Sequence, residues 1–256
     1  MKLPILIIIA NDNYFQPSFL NSIYRVLKKS EFYIERVIVL QKFKKSSSDK
    51  YLLNNLAKLK FNEIFKLFLL KIYPPFCNFF LKKKIKYFSI KKIINENKLN
   101  SILDVDLSEK KMINNLIKKN YSIIINTGGQ IFKKNLLSKY KNKIINIHLS
   151  LLPKYPGIWT MFQQMANKEK FTGVTIHAVG KKIDSGKMIL QKKIIIDYKM
   201  SVFENQLNCY ETIPNLIKQC IKTKFKISSS IKSKKKLDFP DDNEWEKLRK
   251  NKINII

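Results

Sequence analysis

The sequence predicts an α/β fold, a mostly parallel sheet flanked by helices. Three observations carry that reading. Two strand-length runs, Leu3–Ala10 and Tyr33–Leu40, bracket a segment in which Leu20, Ile23, Tyr24 and Leu27 recur at helical spacing. The first run is apolar throughout and the second is rich in Ile and Val, as in strands covered on both faces. The alternation of strand and helix resumes after Ser108 and continues to a long closing helix.

The elements follow in order. Met1–Ala10 has the outline of a signal peptide, one lysine and a short apolar run. Asn11, Asp12 and Asn13 stop it and no small-residue cleavage pattern follows, so it reads as a buried first strand. Pro17 suits the first turn of the next helix. Lys42–Lys86 interrupts the pattern as an insertion after the second strand. Asp49–Leu70 is helical in texture, with Asp49 as its N-cap, and Phe61–Leu81 is rich in Phe, Leu and Ile, broken at Pro74–Pro75 and closed by Lys82–Lys84. We expect a helical hairpin packed on the domain. The basic, aromatic mixture also suits an amphipathic element resting on a membrane surface, a peripheral contact kept as a second reading.

Ser108–Lys119 is expected as a helix capped by Ser108, with Lys111 leaving the capping box incomplete. Tyr121–Asn126 and Lys143–Ile147 read as strands around a short Lys133–Tyr140 helix. Ile158–Asn167 reads as a helix, and Thr172–Val179 and Met188–Ile196 as strands. Ser201–Lys222 is the long helix, which Pro214 should kink or break. Residues 1–223 then form the domain, and residues 224–256 a basic, polar tail, on the surface and partly ordered at best. No uncharged run is long enough to span a bilayer.

Lysine and arginine number 50 and acids 19, so the net charge is 50 − 19 = +31. Such charge suggests nucleic acid or an anionic surface. Against nucleic acid, only Arg25, Arg36 and Arg249 supply the guanidinium suited to bidentate phosphate recognition. Lysine, isoleucine and asparagine are enriched together along the whole chain, the signature of AT-rich codons. Cys77, Cys209 and Cys220 are widely spaced and odd in number, which argues against a disulfide framework or zinc site and for a reducing compartment, read as the cytoplasm.

The chemistry concentrates between Asn146 and Gly186. All six glycines lie between Gly128 and Gly186, and both histidines, His148 and His177, fall there too. Asn146 and His148 are two apart at the end of an apolar strand, so their side chains share a face. In an open α/β sheet, ligands bind beyond such carboxyl ends. Pro153, Pro156 and Gly157 shape a rigid loop after His148, and Asp184 sits in a second loop between Gly180 and Gly186. An amide donor, an imidazole and a carboxylate from neighbouring loops make a plausible acyl-transfer site. His177, in mid-strand, reads as support.

This order and spacing resembles the 10-formyltetrahydrofolate-dependent formyltransferase family. The family's Asn-x-His, Ser-Leu-Leu-Pro, Gly-Val-Thr and Asp-x-Gly segments are matched by Asn146 to His148, Ser150–Pro153, Gly173–Thr175 and Asp184–Gly186. Asn126–Phe132 resembles its folate loop. The resemblance implies a Rossmann-like formyltransferase fold, 10-formyltetrahydrofolate as donor, an amine as acceptor and no metal. It implies that Asn146 stabilises an oxyanion, that His148 is the charged or proton-transferring partner, and that Asp184 tunes it and takes the amine proton. The pterin is expected between Gln130, Ile131 and Phe132 on one side and Val179, Gly180 and Ile183 on the other, with Leu152 and Ile144 lining an apolar pocket.

Three acceptor classes compete. Glycinamide ribonucleotide enzymes carry a glycine-rich phosphate loop after the first strand, whereas Asn11–Gln16 has no glycine. Methionyl-tRNA enzymes add a C-terminal barrel, for which the residues after Ile196 are expected to leave no room. Leu149 and Pro156 also depart from the residues usual there. Sugar N-formyltransferases remain: their Thr-Ile-His strand, Leu-Pro-Lys-Tyr loop and lysine-rich insertion look like Thr175–His177, Leu152–Tyr155 and the segment after strand two. The acceptor expected is therefore a nucleotide-linked amino sugar, with a homodimer as an assembly common in such enzymes. A methionyl-tRNA type activity, or a non-enzymatic nucleic-acid or membrane-binding relative, is the alternative.

Overall fold

The computed structural model describes residues 2–41, 54–72, 75, 78–79, 81–82, 84–232 and 239–256; Asp49, Pro74 and Cys77 lie outside them. In chain order the strands are β1 (Leu3–Ile9), β2 (Phe32–Leu40), β3 (Ser101–Val105), β4 (Ile123–Asn126), β5 (Ile144–His148), β6 (Phe171–Val179), β7 (Gly186–Ile195) and β8 (Ser229–Ile231). The helices are α1 (Gln16–Lys28), α2 (Phe61–Ile72), α3 (Ile90–Glu96), α4 (Lys110–Lys118), α5 (Lys134–Lys139), α6 (Thr160–Ala166), α7 (Val202–Lys222) and α8 (Asp242–Lys250).

All eight strands form one sheet in the order β3-β2-β1-β4-β5-β6-β7-β8. The first five run parallel, and β6, β7 and β8 each run antiparallel to the strand before them in that order. The sheet is thus mixed: β6 and β7 are joined by a short loop at residues 180–185, which permits only an antiparallel pairing.

Alternation along β1 serves two cores. Ile5, Ile7 and Ile9 pack in the cluster that holds Phe19 and Ile23 of α1 and Ile213 and Ile217 of α7. Leu6 and Ile8 face the other way, with Ile113 and Leu116 of α4 and Leu136 of α5. Burial on both faces is why the strand reads as one apolar run.

Several expectations change. Helix α4 begins at Lys110 with Glu109 at the N-cap and no side-chain cap, not at Ser108. The Asp106 carboxylate takes the Ser108 N–H at 2.7 Å, forming a turn that delays the helix start. Helix α7 passes through Pro214 unbroken, with Ile213, Leu216 and Ile217 buried around it. Helix α3 and strand β3 lie in a stretch with no assigned element. In the insertion, α2 is the long helix among the described residues.

Described parts of the tail are built into the fold rather than lying wholly on the surface. β8 extends the sheet. α8 is held at its start by a capping box in which Asp241 and Glu244 bond each other's backbone N–H. It buries Trp245 and Leu248, and Ile253, Ile255 and Ile256 follow into the same cluster. The acidic patch at Asp241–Glu246 is a helix start whose acids stay largely in solvent while Trp245 between them is buried.

Candidate active site

The strand order changes direction between β1 and β4, and the carboxyl ends of β4 and its neighbour β5 lie at that switch. A cavity of about 350 Å³ opens there, lined from Asn126 to Phe132, by Asn146 to Leu149, by Gly157 to Thr160, by His177, by Val179 to Asp184, and by Gln206 and Tyr210 of α7.

Register builds its floor. Asn126 pairs with Asn146 across β4 and β5, and Asn146 with His177 across β5 and β6. The three side chains form a row. Asn126 Nδ2 donates to Asn146 Oδ1 at 2.7 Å, and Asn126 Oδ1 accepts the Gly128 N–H at 3.2 Å. Asn146 Nδ2 lies 3.3 Å from His177 Nε2. An amide nitrogen can only donate, so this His177 nitrogen is the bare acceptor of a neutral ring. Burial, reinforced by His148 nearby, pushes His177 down to about 4, which keeps the ring neutral. The second Asn146 amide hydrogen has no hydrogen-bond partner among the described residues, and the residue lines the cavity.

His148 is fixed at both nitrogens. Nε2 donates to the Tyr155 carbonyl at 2.9 Å, and Nδ1 stands 3.5 Å from Asp184 Oδ1. The other Asp184 oxygen accepts the Gly157 N–H at 2.6 Å. These contacts tie the two loops together. Asp184 itself is in the left-handed region at φ +46°, a conformation aspartate tolerates better than most residues. Gly186, at φ +127°, closes the loop: a Cβ there would stand 2.2 Å from the Ala178 carbonyl oxygen.

The Ser-Leu-Leu-Pro loop is pinned by Thr175. Its hydroxyl donates to the Ser150 carbonyl at 2.6 Å and accepts the Leu152 N–H at 3.2 Å, while Gln191 reaches both Thr175 and the Leu152 carbonyl. Ser150 Oγ lies within bonding distance of the Lys154 and Tyr155 carbonyls. These residues shape the loop that delivers Gly157 to Asp184.

Of the residues expected to contact a donor, Gln130, Ile131, Phe132, Val179, Gly180 and Ile183 line the cavity. Ile144 and Leu152 do not. Ile144 opens β5 at the end away from the cavity and packs in the core under α4 and α5. Leu152 is buried, its backbone taken up by Thr175 and Gln191. Residues the sequence reading missed are Asn126 as partner of Asn146, and Thr127, Trp159, Gln206 and Tyr210 in the wall. Asn126 was findable, since it ends β4 as Asn146 nears the end of β5. Trp159 was not: its φ of +57° and its packing against Phe162 and Phe239, centroids 6.2 and 6.0 Å away, leave no local signal.

A neutral amide with a free N–H, a carboxylate–imidazole pair and a half-open cavity can stabilise a developing oxyanion and move a proton. Known proteins share sequence with this chain. A methionyl-tRNA formyltransferase of Finegoldia magna is 31% identical over 124 residues, 48% of this chain and 40% of that protein. A bifunctional polymyxin resistance protein ArnA of Wigglesworthia glossinidia brevipalpis is 29% identical over 185 residues, 68% of this chain and 28% of that protein. The chain thus spans well under half the length of either relative. In fold, a phosphoribosylglycinamide formyltransferase of Bacillus halodurans has a TM-score of 0.60 at 16% identity, covering 86% of this chain and 94% of that one. A sugar N-formyltransferase of a Shewanella species has a TM-score of 0.54 at 17% identity, covering 92% and 75%. The profile of the formyl transferase family matches residues 81–211, half of the chain and every residue of the Asn146–His148–Asp184 site, and the chain belongs to that family.

Proposed function

We propose that the protein transfers a formyl group from 10-formyltetrahydrofolate to a primary amine, with Asn146, His148 and Asp184 as the catalytic residues. The observation that carries this is an Asn146 amide hydrogen without a partner among the described residues, on the cavity beside a His148–Asp184 pair. The amine forms a bond to the formyl carbon, the bond from that carbon to the folate nitrogen breaks, and one proton passes from the amine to the departing nitrogen. Asn146 donates to the oxygen that gains charge. Asp184 receives the amine proton and His148 stabilises the carboxylate as it gives that proton up. The lining fits a flat, partly apolar donor: Ile131, Phe132, Val179 and Ile183 offer apolar surface, and the loops around Gly129 and Lys181 offer backbone groups.

The acceptor we favour is a nucleotide-linked amino sugar. A phosphate site at the start of α1 is disfavoured, because Asp12 Oδ1 already accepts the N–H groups of Tyr14 and Phe15, both at 2.8 Å. That argues against a ribonucleotide of the glycinamide type held as in a glycine-rich loop. The second reading, methionyl-tRNA, rests on curated relatives such as the Finegoldia magna enzyme.

The test is a screen of amino-sugar nucleotides and methionyl-tRNA with 10-formyltetrahydrofolate, following tetrahydrofolate release. Asn146→Ala, His148→Ala and Asp184→Ala are each expected to lower turnover by about 10²-fold or more. Full activity in any one variant removes that residue from the mechanism, and no turnover on any amine removes the reading.

A further inference from the structure

Helix α2 has two faces that differ sharply. Its inner side is anchored: Glu63 is fully buried and paired with Arg249 at 2.9 and 2.5 Å, Leu67 packs against the main core, and Lys66 Nζ donates to the Ile256 carbonyl at 3.0 Å. Its outer side carries Phe61, Ile64, Phe65 and Phe68, spaced i, i+3, i+4, i+7, with 85%, 47%, 48% and 56% of their surface exposed. Four large apolar groups in one row lie far outside the scatter of single exposed hydrophobics. Phe79, 83% exposed, adds a fifth from the same insertion.

The charge carried by the insertion itself is almost all of one sign. Between Asn54 and Lys86 the chain has eight lysines and a single acid, Glu63. That acid is buried and spent on Arg249, so it offsets nothing outside. Lys58 pairs with Asp242 of α8, and Lys60 stands exposed one residue before the helix. A phenylalanine row in a lysine field matches an interfacial amphipathic helix. A second copy of the chain fits less well, because ridge-to-ridge contact would bring two such lysine fields together, each on a molecule of net charge +31.

We propose that α2 seats the protein on an anionic lipid surface, with Phe61, Ile64, Phe65 and Phe68 entering the headgroup boundary and the exposed Lys60 beside them facing the lipid charge. This is independent of the formyl-transfer reading.

The experiment is co-sedimentation of the full chain with phosphatidylcholine vesicles, with and without phosphatidylglycerol, at low and high salt. Binding is expected only with phosphatidylglycerol and is expected to weaken with salt. The triple variant F61S/F65S/F68S should partition about 10²-fold more weakly, since burial of even part of each ring is lost. Circular dichroism and the thermal midpoint check that the variant is folded. If it is not, F61S alone, at the most exposed position, should weaken partitioning by about 10-fold. Three outcomes overturn the proposal: no binding of the wild type, equal binding of folded variant and wild type, or a dimer in sedimentation that the variant dissociates.

Discussion

An asparagine can present either its carbonyl or its amide to a ligand, and here the neighbours choose. Asn126 donates to the Asn146 oxygen and the bare His177 nitrogen takes one Asn146 hydrogen, so the other is turned to the cavity. The choice holds while His177 is neutral. Its proton affinity is depressed to about 4 by burial and by His148, against about 6.5 in the unfolded chain. Above pH 6.5 neither state binds the proton and the residue is indifferent. As pH falls from 6.5 towards 4 the unfolded chain takes up a proton that the folded chain refuses, so stability declines, by about 3 kcal/mol over that window. Urea unfolding of wild type against His177→Gln, which keeps an acceptor but cannot titrate, should show this slope in the wild type alone. Equal slopes between pH 6.5 and 5 would refute it. At this scale the sequence was legible where scarce residues had meaning: Asn146, His148 and Asp184 come together as their spacing implied. It was not legible for Ile144 and Leu152, because apolar character says neither which end of a strand a residue occupies nor whether a loop leucine faces the cavity or the interior.

Helix α8 shows where local pattern misleads at the scale of elements. Residues 224–256 are lysine-rich, so composition argues for solvent, yet two apolar residues at helical spacing suffice to bury one face. Trp245 packs on Phe162 of α6, ring centroids 4.8 Å apart, and Leu248 is fully buried. Asp241 to Glu244 was a readable capping box whose acids looked like a charged patch. Leu248→Ala is expected to lower unfolding free energy by about 2–5 kcal/mol, measured by urea titration; a loss below 1 kcal/mol would mean α8 is only loosely attached. Strand β3 escaped for a related reason. It is an edge strand whose Ser101, Leu103 and Asp104 are exposed, so it lacks the apolar run that announced β1. The long, doubly covered elements were readable, and those completed by partners distant in sequence were not.

At the scale of the whole molecule, charge and register each set a condition. A net charge of +31 on 256 residues leaves the folded chain repelling itself, and added salt should relieve this. Raising sodium chloride from a dilute buffer is expected to lift the thermal midpoint by at least about 2–4 °C, read by circular dichroism; a midpoint that stays flat or falls would show that the charges are already balanced locally. Register is stricter. Asn126, Asn146 and His177 share a row only because β4, β5 and β6 meet in one alignment. Sliding β5 by one residue would set Ile145 or Ile147 in the row and turn Asn146 to the opposite face. On the proposed function, turnover is therefore a proofreading signal for assembly of the sheet. In a refolding mixture, circular dichroism counts every molecule that regains strands, while catalysis counts only those whose strands are threaded in the right frame.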